Sequence, residues 1–399
     1  MRSLDARIVV PVLLLSAIGL LAVFSGQQGV SGGVSFGSRQ IAWVVIGVVL
    51  CLVLAATPMR VHEGLSVLYY VGFVGSLVVL ATVSRGGGVA RWFSIGPLSV
   101  QPSEAGKIIL VIALARYLAY RRDRPRRLRS MLVPGLITLV PFILVVRQPD
   151  LGTAVVYLVA AAVVLYWTGV PAYVFLLAAT PFVSMAAAFH WISWLIFAVL
   201  LVVFLAFMRP GFGRTVFVLV VNVAVGIATP IIWNGLHDYQ RLRVLAFLSP
   251  GLDPRGAGYQ IIQSKIAIGS GGLLGKGYLL GTQTKLAFLP EQHTDFVFSV
   301  IGEEFGLLGA LVVLVLFLYL ISRGFQVAAR SRNNFSSLVA AGVAGVLAFQ
   351  FVVNVGMTLG LLPVTGLPLP FLSYGGLSTL MAFACVGLLL RVSGTWKDY

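Results

Sequence analysis

"FLPEQHTDFVFSVIGEEFGLLGALVVLVLFLYLIS" (Phe288–Ser322) places four carboxylates, Glu291, Asp295, Glu303 and Glu304, at the entrance to an apolar run. The chain of 399 residues has only 12 acidic residues, so a third of them crowd this one entrance. From Val297 onward the run is long enough to cross a hydrocarbon core of about 30 Å. Comparable windows recur at 8–24, 39–57, 66–84, 104–120, 131–147, 152–168, 172–189, 191–208, 215–233, 338–361 and 371–392, which with 297–322 make twelve candidate spans. The expected fold class is an all-α polytopic membrane protein of about 10–12 transmembrane helices.

Composition points the same way. Hydrophobic residues make up 59% of the chain and charged residues 10%, with a mean hydropathy of +1.00. Soluble domains carry about 25% charged residues. No polar stretch is long enough to fold as a separate soluble domain, so 1–399 reads as one integral-membrane domain. Its longest polar interval, 234–296, is expected to be an extracytoplasmic loop containing short amphipathic helices. The opening segment has Phe24 where a signal-peptide cleavage site needs a small residue, so it is expected to remain as the first span.

The net charge of +16 does not point to nucleic acid, because the basic residues cluster in short linkers such as "RYLAYRRDRPRRLRS" (Arg116–Ser130). With both termini inside, 17 of the 28 basic residues fall on the inner side, as expected for cytoplasmic loops. The acidic cluster then faces outside. Arg91, Lys107, Arg147 and Arg241 share that side against the rule, and are candidates to line a cavity for an anionic group such as a lipid-linked phosphate. Cys51 and Cys385 lie in apolar runs, which leaves no disulfide framework or thiolate metal site.

Several stretches carry possible chemistry. In the opening stretch, Thr294 or Asp295 is the expected N-cap of the following helix. Asp295 precedes Glu303 by eight residues, about two turns, so both acids are expected on one helical face. In "ARWFSIGPLSVQPSEAGK", Glu104 and Lys107 are three apart and share a face, either as an ion pair or beside the outer cavity. "VVRQPDLGTAVVYL" brings Arg147 close to Asp150, as a loop pair or a second wall of that cavity. Pro363, Pro368 and Pro370 in "GLLPVTGLPLPFLSYGG" force a helix to stop and restart, and such broken backbone survives at membrane depth only against protein or a wet cavity. "GSGGLLGKG" fails as a phosphate loop, because Ser270 stands where its first glycine belongs and Gly277 follows Lys276. The four histidines are scattered and form no metal cluster, although Asp295 could recruit a divalent cation such as Mg or Mn.

Together these stretches resemble the SEDS proteins (shape, elongation, division and sporulation), the RodA and FtsW group. The matching segments are "ARWFSIGPLSVQPSEAGK", "RQPDLGTA", "HDYQRLRVLAFLSPGLDPRGAGYQIIQSKIAIGSGGLLGKG", "FLPEQHTDFVFSVIGEEFG" and "LPVTGLPLPFLSYGG", in the family's order from Arg91 to Gly376. "GTQTKLAFLPEQHTDF" is more similar to the elongation member, RodA, than to the division member. The resemblance implies a peptidoglycan glycosyltransferase that polymerises lipid II outside the bacterial cytoplasmic membrane, with a class B penicillin-binding protein transpeptidase as partner. It also implies that Asp295 is the essential aspartate of the family, and that Glu104, Lys107 and Asp150 fall on its other functional positions. Two departures stand out. Three candidate spans fill 172–233, where one is usual, and Leu377 follows "SYGG" where a small polar residue is more common.

The expected reaction is an inverting glycosyl transfer. A sugar hydroxyl attacks the anomeric carbon of a second lipid-linked disaccharide, or of the growing glycan strand, and expels lipid pyrophosphate. Such chemistry needs a base and charge neutralisation of the leaving group. Asp295 is the candidate base, and Lys107, Arg91 and Arg241 are candidate pyrophosphate contacts. Glu104, Asp150, His293 and Ser373 complete the expected substrate-binding set. The alternative is a transporter that flips the same precursor. An ion-coupled carrier is disfavoured by the near absence of acids in the inner halves of the spans.

Overall fold

Apolar chain in lipid must satisfy its backbone groups internally, so helices are the natural outcome, and every one of the twelve expected spans falls on a helix. The computed structural model describes residues 5–27, 36–83, 91–95, 98–121, 128–235, 241, 251, 258–286, 288–289 and 291–395. The first nine helices are α1 (Ala6–Gly26), α2 (Phe36–Ala56), α3 (Met59–Val83), α4 (Pro102–Ala119), α5 (Leu128–Val146), α6 (Leu151–Trp167), α7 (Ala172–Ala187), α8 (Trp191–Met208) and α9 (Phe212–Gly235). The short α10 (Tyr259–Ser270) and α11 (Thr282–Lys285) precede α12 (Val297–Arg330), α13 (Asn334–Thr358) and α14 (Gly376–Thr395). Among the described residues eight helices are long and apolar enough to cross a membrane, and α5 to α7 are shorter apolar helices. The chain is a multi-pass membrane protein.

Two helix starts and one missed element need correction. Helix α3 begins at Met59, seven residues before the expected 66, because Pro58 and the polar start of the helix hide it from a hydropathy window. Helix α14 begins at Gly376 rather than 371, since the proline-rich segment continues through Tyr374. The all-α reading also missed a small antiparallel hairpin, β1 (Phe93–Ile95) and β2 (Leu98–Val100), which pairs Phe93 with Val100 and leads into Pro102 at the first turn of α4. Much of the expected 234–296 loop, including "HDYQ", Arg243 and Arg255, lies outside the described residues.

Helix α13 is the buried centre, and α4 and α6 press directly against it. At Gly342 an added Cβ would lie 2.5 Å from Val111 Cγ1 and 2.8 Å from Val164 Cγ2. Small residues there let three helices meet closely, the usual way to gain packing energy in lipid. Helices α1 and α12 run alongside each other, tied at one end by the buried Asp5–Arg323 ion pair (2.7 Å) and at the other by a hydrogen bond from Ser25 to Glu304. Helices α7 to α9 pack mainly on one another around a separate small core of Leu177, Leu201 and Leu205. Asn222 braces this group, donating to Thr180 Oγ1 (2.9 Å) while its carbonyl accepts from Ser184 (2.9 Å).

Candidate active site

The turn before α12 is held by one carbonyl. Glu291 O accepts from the amides of Thr294 (3.1 Å), Asp295 (3.1 Å) and Phe296 (3.3 Å), with Glu291 itself in the left-handed region (φ 53°). This corrects the capping expectation. Phe296 occupies the N-cap position and no side chain caps the helix. The Asp295 carboxylate is therefore not consumed in capping, and it takes no side-chain hydrogen bond or ion pair among the described residues.

The proline-rich segment between α13 and α14 holds this turn in place. Asn354 Nδ2 donates to the carbonyls of Asp295 (2.9 Å) and Leu367 (2.8 Å). Ser373 Oγ donates to Thr294 O (2.5 Å) and accepts from Leu369 N (2.8 Å). Tyr374 N donates to His293 O (2.8 Å), and the His293 ring stacks on Phe36 at 4.4 Å. Gly366, at φ +70°, brings bare backbone under the acid, since a Cβ added there would stand 3.5 Å from Asp295 Oδ2. Burial first, and the nearby Glu291 charge second, push the Asp295 carboxyl up to about 6. Burial pulls His293 down, partly opposed by Glu291, so its ring is neutral at neutral pH.

Two of the other three acids of the opening stretch, Glu303 and Glu304, do not join Asp295. Glu303 is fully buried and accepts from Lys276 Nζ (2.8 Å), Gln283 N (2.9 Å), Thr284 N (3.2 Å) and Thr284 Oγ1 (2.9 Å). Glu304 points to Ser25 of α1. Asp295 and Glu303 thus do not share the expected face, and Glu303, like Glu304, is held in structural contacts. The cause lies next door at Gly306, whose φ of 65° and ψ of −160° break α12. Loop 272–277 repairs the break: Lys276 N and Gly277 N donate to the carbonyls of Glu303 and Glu304 (both 3.0 Å), and Leu307 N donates to Gly272 O (2.9 Å). The glycine-rich "GSGGLLGKG" is a plug for a broken helix.

A second polar group gathers at the N-termini of α4 and α6. Asp150 caps α6 through Thr153 N (3.1 Å) and accepts from Gln101 Nε2 (2.9 Å), with no ion pair to the exposed Arg147. Arg91 donates to Pro149 O (2.8 Å). Glu104 and Lys107 form a buried pair at 2.6 Å, with the lysine side chain only 2% exposed. Gly152 joins this group to the first, because a Cβ there would meet Thr365 O at 2.6 Å, one residue from Gly366. Arg241 stands apart, spending donors on Trp233 O (3.0 Å) and Asn234 O (2.7 Å) at the end of α9.

The family model described as "Cell cycle protein", which covers FtsW, RodA and SpoVE, matches residues 5–197 and 192–397. The chain belongs to this family. It is 37% identical over 389 residues to the peptidoglycan glycosyltransferase MrdB of Escherichia coli (strain K12), covering 96% of this chain and 92% of that protein. Its fold is similar to a chain from a study of polymerization and crosslinking by a peptidoglycan synthase complex, with a TM-score of 0.74, 33% identity and full coverage of both chains. The rod shape determining protein RodA of Thermus thermophilus gives a TM-score of 0.64 at 28% identity, covering 98% of this chain and 97% of that one.

Of the expected site residues in this SEDS chain, Asp295, His293 and Ser373 meet around the proline-rich segment. Arg91, Glu104, Lys107 and Asp150 form the adjoining group. Sequence reading missed Gln101, Asn354 and Gly366. Asn354, deep inside the apolar helix α13, was the one available signal, since polar side chains at membrane depth need a partner. Among the described residues no three His, Cys, Asp or Glu side chains gather as a metal site. The donor set around Asp295 does not by itself fit a protein-held cation.

Proposed function

We propose that this protein is a peptidoglycan glycosyltransferase that polymerises lipid II, with Asp295 as the general base. The activity is the one its relative MrdB carries in its name. The role of Asp295 rests on one observation: a carboxylate raised to about 6, without a side-chain partner among the described residues, on a turn clamped by Asn354 and Ser373. An ordinary carboxylate is a weak base, and a raised value brings it nearer the working pH while leaving it ionised there. It accepts the proton of the attacking sugar hydroxyl as the new glycosidic bond forms and lipid pyrophosphate departs. Arg91, half-buried and donating to Pro149 O, is the proposed contact for the pyrophosphate. Lys107 and Glu104 support the floor as an ion pair, and Asp150 fixes Gln101 beside them.

The site faces outward across the bacterial cytoplasmic membrane, with both termini inside. The distribution of basic residues supports this. The Asp5–Arg323 pair supports it too, since it puts the start of α1 and the distal part of α12 at one end, with Ser25 and Glu304 at the other. A class B penicillin-binding protein is the partner that would crosslink the strands, in keeping with the synthase complex that supplies a similar structure. The decisive experiment supplies purified protein and transpeptidase with lipid II and resolves the products by gel. Glycan polymer from the native chain and none from Asp295→Asn supports the assignment. Lipid movement across vesicles without polymer would favour a flippase instead.

A further inference from the structure

The motif with no part in this chemistry is the basic cluster that begins at Arg116. It starts at the far end of α4, twelve residues from Glu104 and so roughly 18 Å along the helix from the proposed site. A cavity of about 510 Å³ opens there between α3, α4 and α5, a size suited to a lipid headgroup or small ligand. Arg116, Arg121 and Tyr120 line it from α4 and its C-terminal end, and Ser66 and Tyr70 from α3. Arg116 donates to the carbonyl of Glu63, which ties α4 to α3 at the rim. The Arg121 guanidinium lies 5.4 Å over the Tyr117 ring. Arg116 and Arg121 thus set two guanidinium groups on the rim, beside the Glu63 side chain. Arg121 itself opens the sequence "RRDRPRR".

Of the side chains that line this cavity, one buried polar group lacks a partner among the described residues. Ser66 is 1% exposed, lines the cavity, and its hydroxyl has no hydrogen-bond partner among the described residues. A serine in a helix ordinarily turns back to a carbonyl of the preceding turn, and an unmet buried hydroxyl carries a real cost. An oxyanion in the cavity would supply its acceptor. Outside the rim, Val67, Val71 and Leu136 are exposed apolar side chains, so a ligand with its anion inside has hydrocarbon beside its tail. We propose that this cavity binds the phosphate of an anionic phospholipid, with acyl chains lying along α3 and α5. The ligand chemistry is an oxyanion held by Arg116, Arg121 and Ser66, and the apolar flank selects a lipid over free phosphate.

Native mass spectrometry of the full-length protein, released from micelles holding equal phosphatidylglycerol and phosphatidylcholine, tests this. The native chain is expected to retain phosphatidylglycerol about tenfold over phosphatidylcholine, and Arg116→Gln with Arg121→Gln to abolish the preference. Ser66→Ala is expected to weaken it about threefold, while Arg330→Gln with Arg332→Gln leaves it intact. Equal retention of the two lipids overturns the proposal, as does an equal loss in the Arg330/Arg332 control. Competition by deacylated glycerophosphoglycerol or inorganic phosphate at the lipid's own concentration overturns the lipid assignment in favour of a free anion. If the arginine pair proves unstable, Ser66→Ala decides alone, and unchanged retention refutes the site. The readout needs no catalysis, so it stands or falls apart from the polymerase reading.

Discussion

Position 295 carries a carboxylate that the fold disfavours in its charged form. Burial and Glu291 lift it from 3.8 to about 6, so the folded chain binds that proton more tightly than the unfolded chain. The folded state therefore loses stability as pH rises from 3.8 through about 6, and the cost is complete above that window. Asp295→Asn removes the charge. It is expected to raise the thermal midpoint at pH 7.5, by at most about 3 kcal/mol of stability, with the gain vanishing near pH 4. Differential scanning fluorimetry at the two pH values checks this. The same substitution is expected to cut lipid II polymerisation by about 10²–10⁴-fold. Native activity should fall on the acid side with a midpoint near 6, where the base becomes protonated. A variant that is more stable yet inactive separates a functional carboxylate from a structural one. An acid limb well below 5 would remove Asp295 from the role.

At the scale of elements, precision comes from two interruptions, the break at Gly306 and the proline-rich segment before α14. Gly306→Ala puts a Cβ 2.3 Å from Gly275 N at a φ of 65°, and is expected to cost about 2 kcal/mol or more in stability. Asn354→Leu leaves two carbonyls without their clamp, at about 1–3 kcal/mol each. It is expected to lower polymerisation strongly while a solvent-accessible purified protein still unfolds cooperatively, as measured by turnover alongside thermal melting. These two elements also mark what could be read in advance. The spans were readable because lipid imposes a length and an apolar composition on each; the rarity of acids marked the cluster of four, and the resemblance to the family's motif singled out Asp295 within it as the candidate. The partition of Glu303 and Glu304 away from Asp295 was not readable. It depends on loop 272–284 closing onto a helix break, and periodicity along one helix carries no information about that contact. Asn354 and Gly366 were hidden for the same reason, since their partners lie far away in sequence.

At the scale of the whole molecule, the polar groups of the proposed site sit among α1, α4, α6, α12, α13 and the segment before α14, while α7 to α9 keep a core of their own. A cavity-forming change in that satellite should therefore stay local. Leu205→Ala is expected to destabilise it by about 2–3 kcal/mol and leave polymerisation within about twofold, which hydrogen exchange and turnover would show together. Orientation is the property on which the proposed reaction depends, because in it lipid-linked sugars and the strand they join must reach Asp295 from one side. Cysteine labelling can read it without interference, since Cys51 and Cys385 are buried free thiols at 7% and 3% exposure. Glu291→Cys places a thiol on the exposed turn four residues from the proposed base, and Arg332→Cys places one on the exposed turn between α12 and α13. In intact cells stripped of their outer layers, a membrane-impermeant maleimide is expected to label the first and spare the second, with both labelled after permeabilisation. The reverse pattern would put the carboxylate on the cytoplasmic side, away from any strand being built outside, and would end the polymerase assignment.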